Sequence, residues 1–153
     1  MRMLAVLVFA AAGAASASAQ QHLPPDPMFC NPGSYEYDAV AAAPYQHRVL
    51  FEDAHVRVLE INLPPLAAEP IHVHALPSVI MGETGGAGGA KFRYTEYRME
   101  DGEFVEVAHN DVEPTAGYRS VWSGPEGPHA ITNIGPVGVK FTRVEIKPES
   151  CAR

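Results

Sequence analysis

Nothing along this chain of 153 residues forms a basic run. Eleven Lys and Arg are scattered among eighteen Asp and Glu, and the formal net charge is −7. That argues against nucleic acid and anionic membranes as partners, since both attract clustered Lys and Arg. Cysteine is almost absent: only Cys30 and Cys151 occur, and their spacing does not suit a cysteine metal site. There is no Gly-x-Ser-x-Gly elbow and no cysteine–histidine pairing, so hydrolase signatures are missing. Gly82 to Gly89 holds five glycines in eight residues. It has neither the strand-then-helix setting nor the lysine of a phosphate loop, and reads as a hairpin connection. No long helical pattern and no internal repeat are visible.

What is present begins with a leader. Arg2 precedes an apolar run over residues 4–12, and Ala17-Ser18-Ala19 is a small-residue cleavage site. The run is well short of the roughly 20 residues of a spanning helix. Residues 1–19 therefore read as a secretory signal peptide, without a twin-arginine pair. The expected location is the periplasm or the outside of the cell, with no membrane span after cleavage. In that oxidising setting two readings of the cysteines stand. One is a single Cys30–Cys151 bridge, stabilising by ~4–5 kcal/mol in the chain-entropy model; the other is two free thiols.

Residues 20–47 carry Pro24, Pro25, Pro27, Pro32 and Pro44 and read as an extended arm, with a short helical turn over Ala39 to Ala43. Residues 48–148 alternate apolar and polar side chains in short runs broken by turn residues. The runs are Arg48–Phe51, His55–Leu63, Ile71–His74, Ser78–Met81, Lys91–Met99, Phe104–Val107, Tyr118–Trp122, Ala130–Asn133 and Val137–Ile146. Short strands with a turn every ~8–12 residues predict an all-β sandwich or barrel. Residues 149–153 are a C-terminal tail.

Two motifs carry the chemistry. In Ile71-His72-Val73-His74, alternation along a strand puts His72 and His74 on one face. Pro125-Glu126-Gly127-Pro128-His129 supplies a third imidazole, with Asn133 four residues on. Together these residues resemble the cupins, small jelly-roll barrels with a His-x-His motif followed by Glu and Gly. Their second motif is Pro-x-Gly, then a His, then Asn. Gly82 fits the closing glycine. One residue separates Gly127 from His129 where the pattern has two. The acidic ligand is missing, because its place falls on Ser78 or Val79. The resemblance covers roughly residues 48–147. It implies a single cupin-like jelly-roll barrel with metal ligands His72, His74 and His129.

Three neutral imidazoles suit a divalent transition metal: Fe, Mn, Zn, Ni or Cu. Metal–nitrogen bonds of ~2.0–2.1 Å require the nitrogens to lie about 3–3.5 Å apart, and separations well beyond ~5 Å count against a site. Parity along the strands offers Tyr94, Glu96, Tyr118, Trp122, Asn133 and Arg143 as pocket candidates. His22, His47, His55 and His109 have no partners at useful spacing and read as surface residues. The resemblance implies either a metal-dependent oxygenase or isomerase acting on a small polar molecule, or a periplasmic small-molecule-binding or sensing barrel with a degenerate metal site. A homodimer sharing edge strands, with the arm exchanged between subunits, is a third, structural reading.

Overall fold

The computed structural model describes residues 30–84, 89–114 and 117–152. The expected leader and the first part of the expected arm lie outside them. Nine strands follow one another: β1 (His47–Glu52), β2 (Val56–Leu63), β3 (His72–His74), β4 (Ser78–Thr84), β5 (Phe92–Glu100), β6 (Glu103–Val112), β7 (Gly117–Ser123), β8 (Glu126–Asn133) and β9 (Val139–Ile146). They form an antiparallel sheet of order β1-β2-β9-β4-β7 and another of order β3-β8-β5-β6. The all-β expectation holds, and each of the nine expected runs matches its own strand, with His55, Ile71, Lys91, and Val137 and Gly138 lying just before theirs.

Alternation explains how the sheets face each other. On β2, Leu59, Ile61 and Leu63 are buried on one parity. They meet Val139 of β9 and Ala90, with Phe92, Ile131 and Phe141 packed against them. This core joins β2 and β9 of one sheet to β5 and β8 of the other. The Asp101-Gly102 turn expected from the sequence closes β5 onto β6 with Glu100 opposite Glu103. Both turn residues take positive φ, 49° and 88°, as the tight hairpin turns that match strand twist require.

The arm is more ordered than an extended segment. Pro32–Ser34 form a 3-10 turn and α1 (Ala39–Ala42) a single helical turn, capped by the Asp38 side chain on the Val40 N–H at 3.0 Å. Ala39 and Ala43 are fully buried, and the Val73 N–H donates to Tyr37 O at 2.7 Å. Packing against β3 thus imposes order that the proline content alone would not predict. Cys30 and Cys151 form a disulfide with Cα atoms 5.1 Å apart, tying the arm to the 3-10 turn Glu149–Ala152. Among the described residues no helix is long and apolar enough to cross a membrane.

Candidate metal centre

Antiparallel pairing of β3 with β8 sets His72 opposite His129 and His74 opposite Glu126, with an irregularity between the two pairs. The ring centroids of His72 lie 5.1 Å from His74 and 4.4 Å from His129, and all three rings are buried. A fourth imidazole joins them. His47, at the start of β1, has its ring 4.6 Å from His72 and 5.2 Å from His74. Its exposure is 2%, which corrects the expectation of a surface residue. His55 and His109 are exposed as expected, and His22 lies outside the described residues. Tyr94 stacks on His129 at 5.0 Å.

The four rings share one hydrogen-bonding habit. The Nδ1–H groups of His47, His72 and His129 donate to the carbonyls of Ala43 (3.3 Å), Pro70 (2.9 Å) and Gly127 (2.8 Å). The Nδ1–H of His74 donates to Glu145 Oε1 at 2.7 Å. A carbonyl can only accept, so each such bond fixes the tautomer and leaves Nε2 as a bare lone pair. Burial also keeps the rings neutral. It lowers His47 to about 4 and His72 and His74 well below the usual range, and it lowers His129 against the pull of Glu126. His72 Nε2 is buried with no partner.

Potential donor atoms form two overlapping sets, His47/His72/His74 and His74/Glu126/His129, with members of each within 4.8 Å of one another. His74 belongs to both. The expected trio is therefore shared between two sets and does not form one by itself. The limit of 4.8 Å is wider than a closed coordination sphere and inside the ~5 Å bound set by metal–nitrogen geometry.

Carboxylates enter from unexpected positions. Ser78 stands where the motif asks for an acid; it is fully buried, with an unpartnered Oγ. Val79 pairs instead with Trp122 and Val144. Glu126, inside the second motif, places Oε2 3.6 Å from His129 Nε2 and accepts from Arg143 Nη1 at 2.9 Å. Burial pushes its carboxyl up, but Arg143, His129 and a Ser123 hydrogen bond outweigh that and hold it below the usual range. Glu69 lies 3.8 Å from His72 Nε2, with neither oxygen hydrogen-bonded. Burial pushes it up to about 8.

Behind the cluster runs a buried ion chain. The Arg57 guanidinium donates to both Asp38 oxygens, at 2.8 and 2.7 Å, and through Nε to Glu145 Oε2 at 2.6 Å. Glu145 in turn holds His74. Arg57 shares its parity with Leu59 and Ile61, so its charge enters the interior with the core face of β2. Two carboxylates make that tolerable, since a buried charge persists only when paired.

A cavity of about 410 Å³ opens over the histidines. Tyr94 and Arg143 line it as expected. Glu96 is exposed and does not line it. Tyr118 and Trp122 are 71% and 62% exposed, because the inward parity of β7 is that of Arg119 and Val121. Asn133 is buried but serves the chain itself. Its Nδ2 donates to Leu63 O (3.0 Å) and Val137 O (2.8 Å), and its Oδ1 accepts from the Gly135 N–H (3.0 Å).

No protein-family model matches the chain, and no curated protein does. Solved structures do. A cupin domain from Bordetella pertussis Tohama I matches with a TM-score of 0.50 at 20% identity, over 67% of this chain and 92% of that one. The chain has the cupin fold. An RmlC-like cupin family protein with a double-stranded β-helix fold from Methanocaldococcus jannaschii is 16% identical over 70% of this chain and 84% of its own, with a TM-score of 0.44. A cupin 2 conserved barrel domain protein from Salinispora arenicola is 16% identical over 69% and 76%, with a TM-score of 0.40. Within the cupin fold, the histidine cluster draws on both sheets, with His47 on β1 and the other three on β3 and β8.

Proposed function

We propose that this chain is an exported, metal-dependent enzyme of the oxygenase or isomerase class, holding one divalent transition metal on the His47/His72/His74 set, with His129 and Glu126 beside it through the shared His74. One observation carries the reading. Four buried imidazoles cluster with every Nδ1 bonded away, and the buried, unpartnered Nε2 of His72 supports a cation there. Neutral lone pairs crowded together without a donor suit a cation. Export rests on the sequence of residues 1–19.

A bound cation supplies Lewis acidity toward an oxygen of the bound molecule. The chain's own groups do the rest. Glu126, held ionised by Arg143, accepts a proton. Burial and the charges of Glu126 and Glu96 raise Tyr94, so its hydroxyl keeps its proton. The apolar walls exclude water and strengthen each of these interactions.

Metal analysis of the purified full chain tests the reading. One equivalent is expected in the wild type, and His74→Ala, which removes the residue common to both donor sets, should lose it while circular dichroism shows a folded barrel. Equally negligible metal in both proteins after reloading would end the proposal. Ser78 in place of an acid favours a second reading, a binding barrel without turnover. A ligand retained through purification and chemically unchanged over days supports that reading, and its conversion excludes it.

A further inference from the structure

The cavity and the cluster differ sharply in chemistry. The floor holds the histidines and Arg143. The walls are aliphatic and aromatic: Leu63, Phe92, Ile131, Val139 and Phe141 are among them. A small, highly hydroxylated molecule entering this space would find partners only at the floor and leave the hydroxyls that face the walls unmet, at ~1–3 kcal/mol for each one. An apolar body gains from the same walls.

Arg143 adds a second constraint. Its side chain is buried and reaches the cavity. Nη1 is committed to Glu126, Nε lies 3.9 Å from Glu145 Oε1, and Nη2 has no partner. A buried guanidinium with an unmet N–H is a receptor for an acceptor oxygen, best a charged one. Glu126 balances the charge of Arg143, and Glu69, which also lines the cavity, is pushed up to about 8 by burial; with Glu69 protonated, a divalent cation on the histidines would leave the floor with excess positive charge.

We infer that the cavity takes an amphipathic monoanion: a carboxylate-type head at Arg143 and the histidine cluster, and an unbranched or aromatic apolar body along the walls. A volume of about 410 Å³ holds roughly a dozen non-hydrogen atoms at the ~30 Å³ that a water occupies. The head group rests partly on the metal reading above; the apolar body rests on the walls alone. This replaces the small polar molecule expected from sequence.

The test is calorimetric titration of the full chain, metal-loaded and metal-free, with straight-chain monocarboxylates from butanoate to decanoate and with the matching alcohols. Affinity for the acids should rise about fourfold per methylene and level off once the cavity is full. The alcohols should bind at least tenfold more weakly, and Arg143→Gln should erase that difference while keeping the methylene increment. Acids that show no chain-length dependence, or that bind no better than their alcohols in wild type, overturn the inference. So does tighter binding of short polyhydroxy acids. Metal content measured on the same samples separates the two claims. A protein that takes up no metal on reloading yet keeps the series sinks the metal reading and leaves this one standing; a metal-loaded protein with a flat series does the reverse.

Discussion

Glu145 does not line the cavity, yet it decides what His74 can do. Its Oε2 takes the Arg57 Nε–H and its Oε1 takes the His74 Nδ1–H, so both oxygens must accept. An amide has one acceptor and one donor end. Glu145→Gln would set an N–H either against Arg57 or against His74, and in the second case would favour the tautomer that blocks Nε2. Metal affinity should fall about 10–100-fold, the usual effect of losing a partner behind a ligand, with the barrel still folded. A competition titration with a chelating dye measures it, and unchanged affinity would show that Glu145 serves only Arg57. At this scale the sequence was partly legible. His72, His74 and His129 stand in motifs whose spacing follows from strand alternation. His47 does not, and the reason is a bulge. Counting back from the Glu52-Asp53-Ala54 turn in unbroken register sets His47 against Asn62, which is exposed. The extra residue, Leu50, shifts the register so that His47 faces Ile61 in the core. A bulge exchanges the faces of everything beyond it, and no residue type at Leu50 announces it. Glu126 lay in a quoted motif, but only the pairing of β3 with β8 turns it toward His74.

The elements themselves were legible because short alternating runs between turn residues have few other solutions; what alternation leaves open is which parity faces inward. On β7 the aromatic parity, Tyr118 and Trp122, resembles a core face. Pairing with β4 sets Val121 opposite Ile80, which lines the cavity, and so puts the aromatics outside. Close approach matters on the neighbouring strand. A Cβ on Gly82 would lie 2.8 Å from Phe141 Cβ, so the glycine of the first motif is what lets β4 lie against β9. Asn133 does comparable work at the end of β8. Its three hydrogen bonds link the turn before β9 to the last residue of β2. Asn133→Ala would strand two carbonyls, while the Gly135 N–H keeps Lys91 O at 3.0 Å, and the cost should be about 2–4 kcal/mol given ~1–3 kcal/mol for an unmet buried group. Urea denaturation checks the figure, and metal content should not change. A loss below about 0.5 kcal/mol, or a loss of metal at full stability, would move Asn133 from the turn to the site.

Taken whole, the barrel encloses ionisable groups that its core must tolerate, and this sets its response to acid. In the metal-free protein, His47 titrates near 4, His72 and His74 well below 6.5, and His129 below it, all chiefly through burial. The unfolded chain protonates the same rings near pH 6.5. Below that pH the unfolded state binds protons that the folded state refuses, so stability must fall as pH falls. For His47 the loss grows from about pH 6.5 until about pH 4, and amounts to roughly 3 kcal/mol at ~1.4 kcal/mol per pKa unit. Glu69 acts in the opposite sense. With its folded carboxyl near 8, it favours the folded state more as pH falls from about 8 toward 4.5, and so costs stability progressively as pH rises through that window. Glu69 and Glu145, both raised by burial, oppose four imidazoles, so the histidines dominate on the acid side. The melting temperature of the metal-free chain should peak near pH 6.5–7 and drop by several degrees by pH 5. His47→Gln, which carries no titrating ring, should flatten the acid limb. Metal affinity of the folded protein should fall less steeply from pH 7 to pH 5 than it would on solvent-exposed histidines, because burial lowers all four rings. A melting temperature that is flat across this window would mean that the histidines reach solvent in the folded state. Affinity falling tenfold per pH unit across it would mean that they protonate there as ordinary surface histidines do.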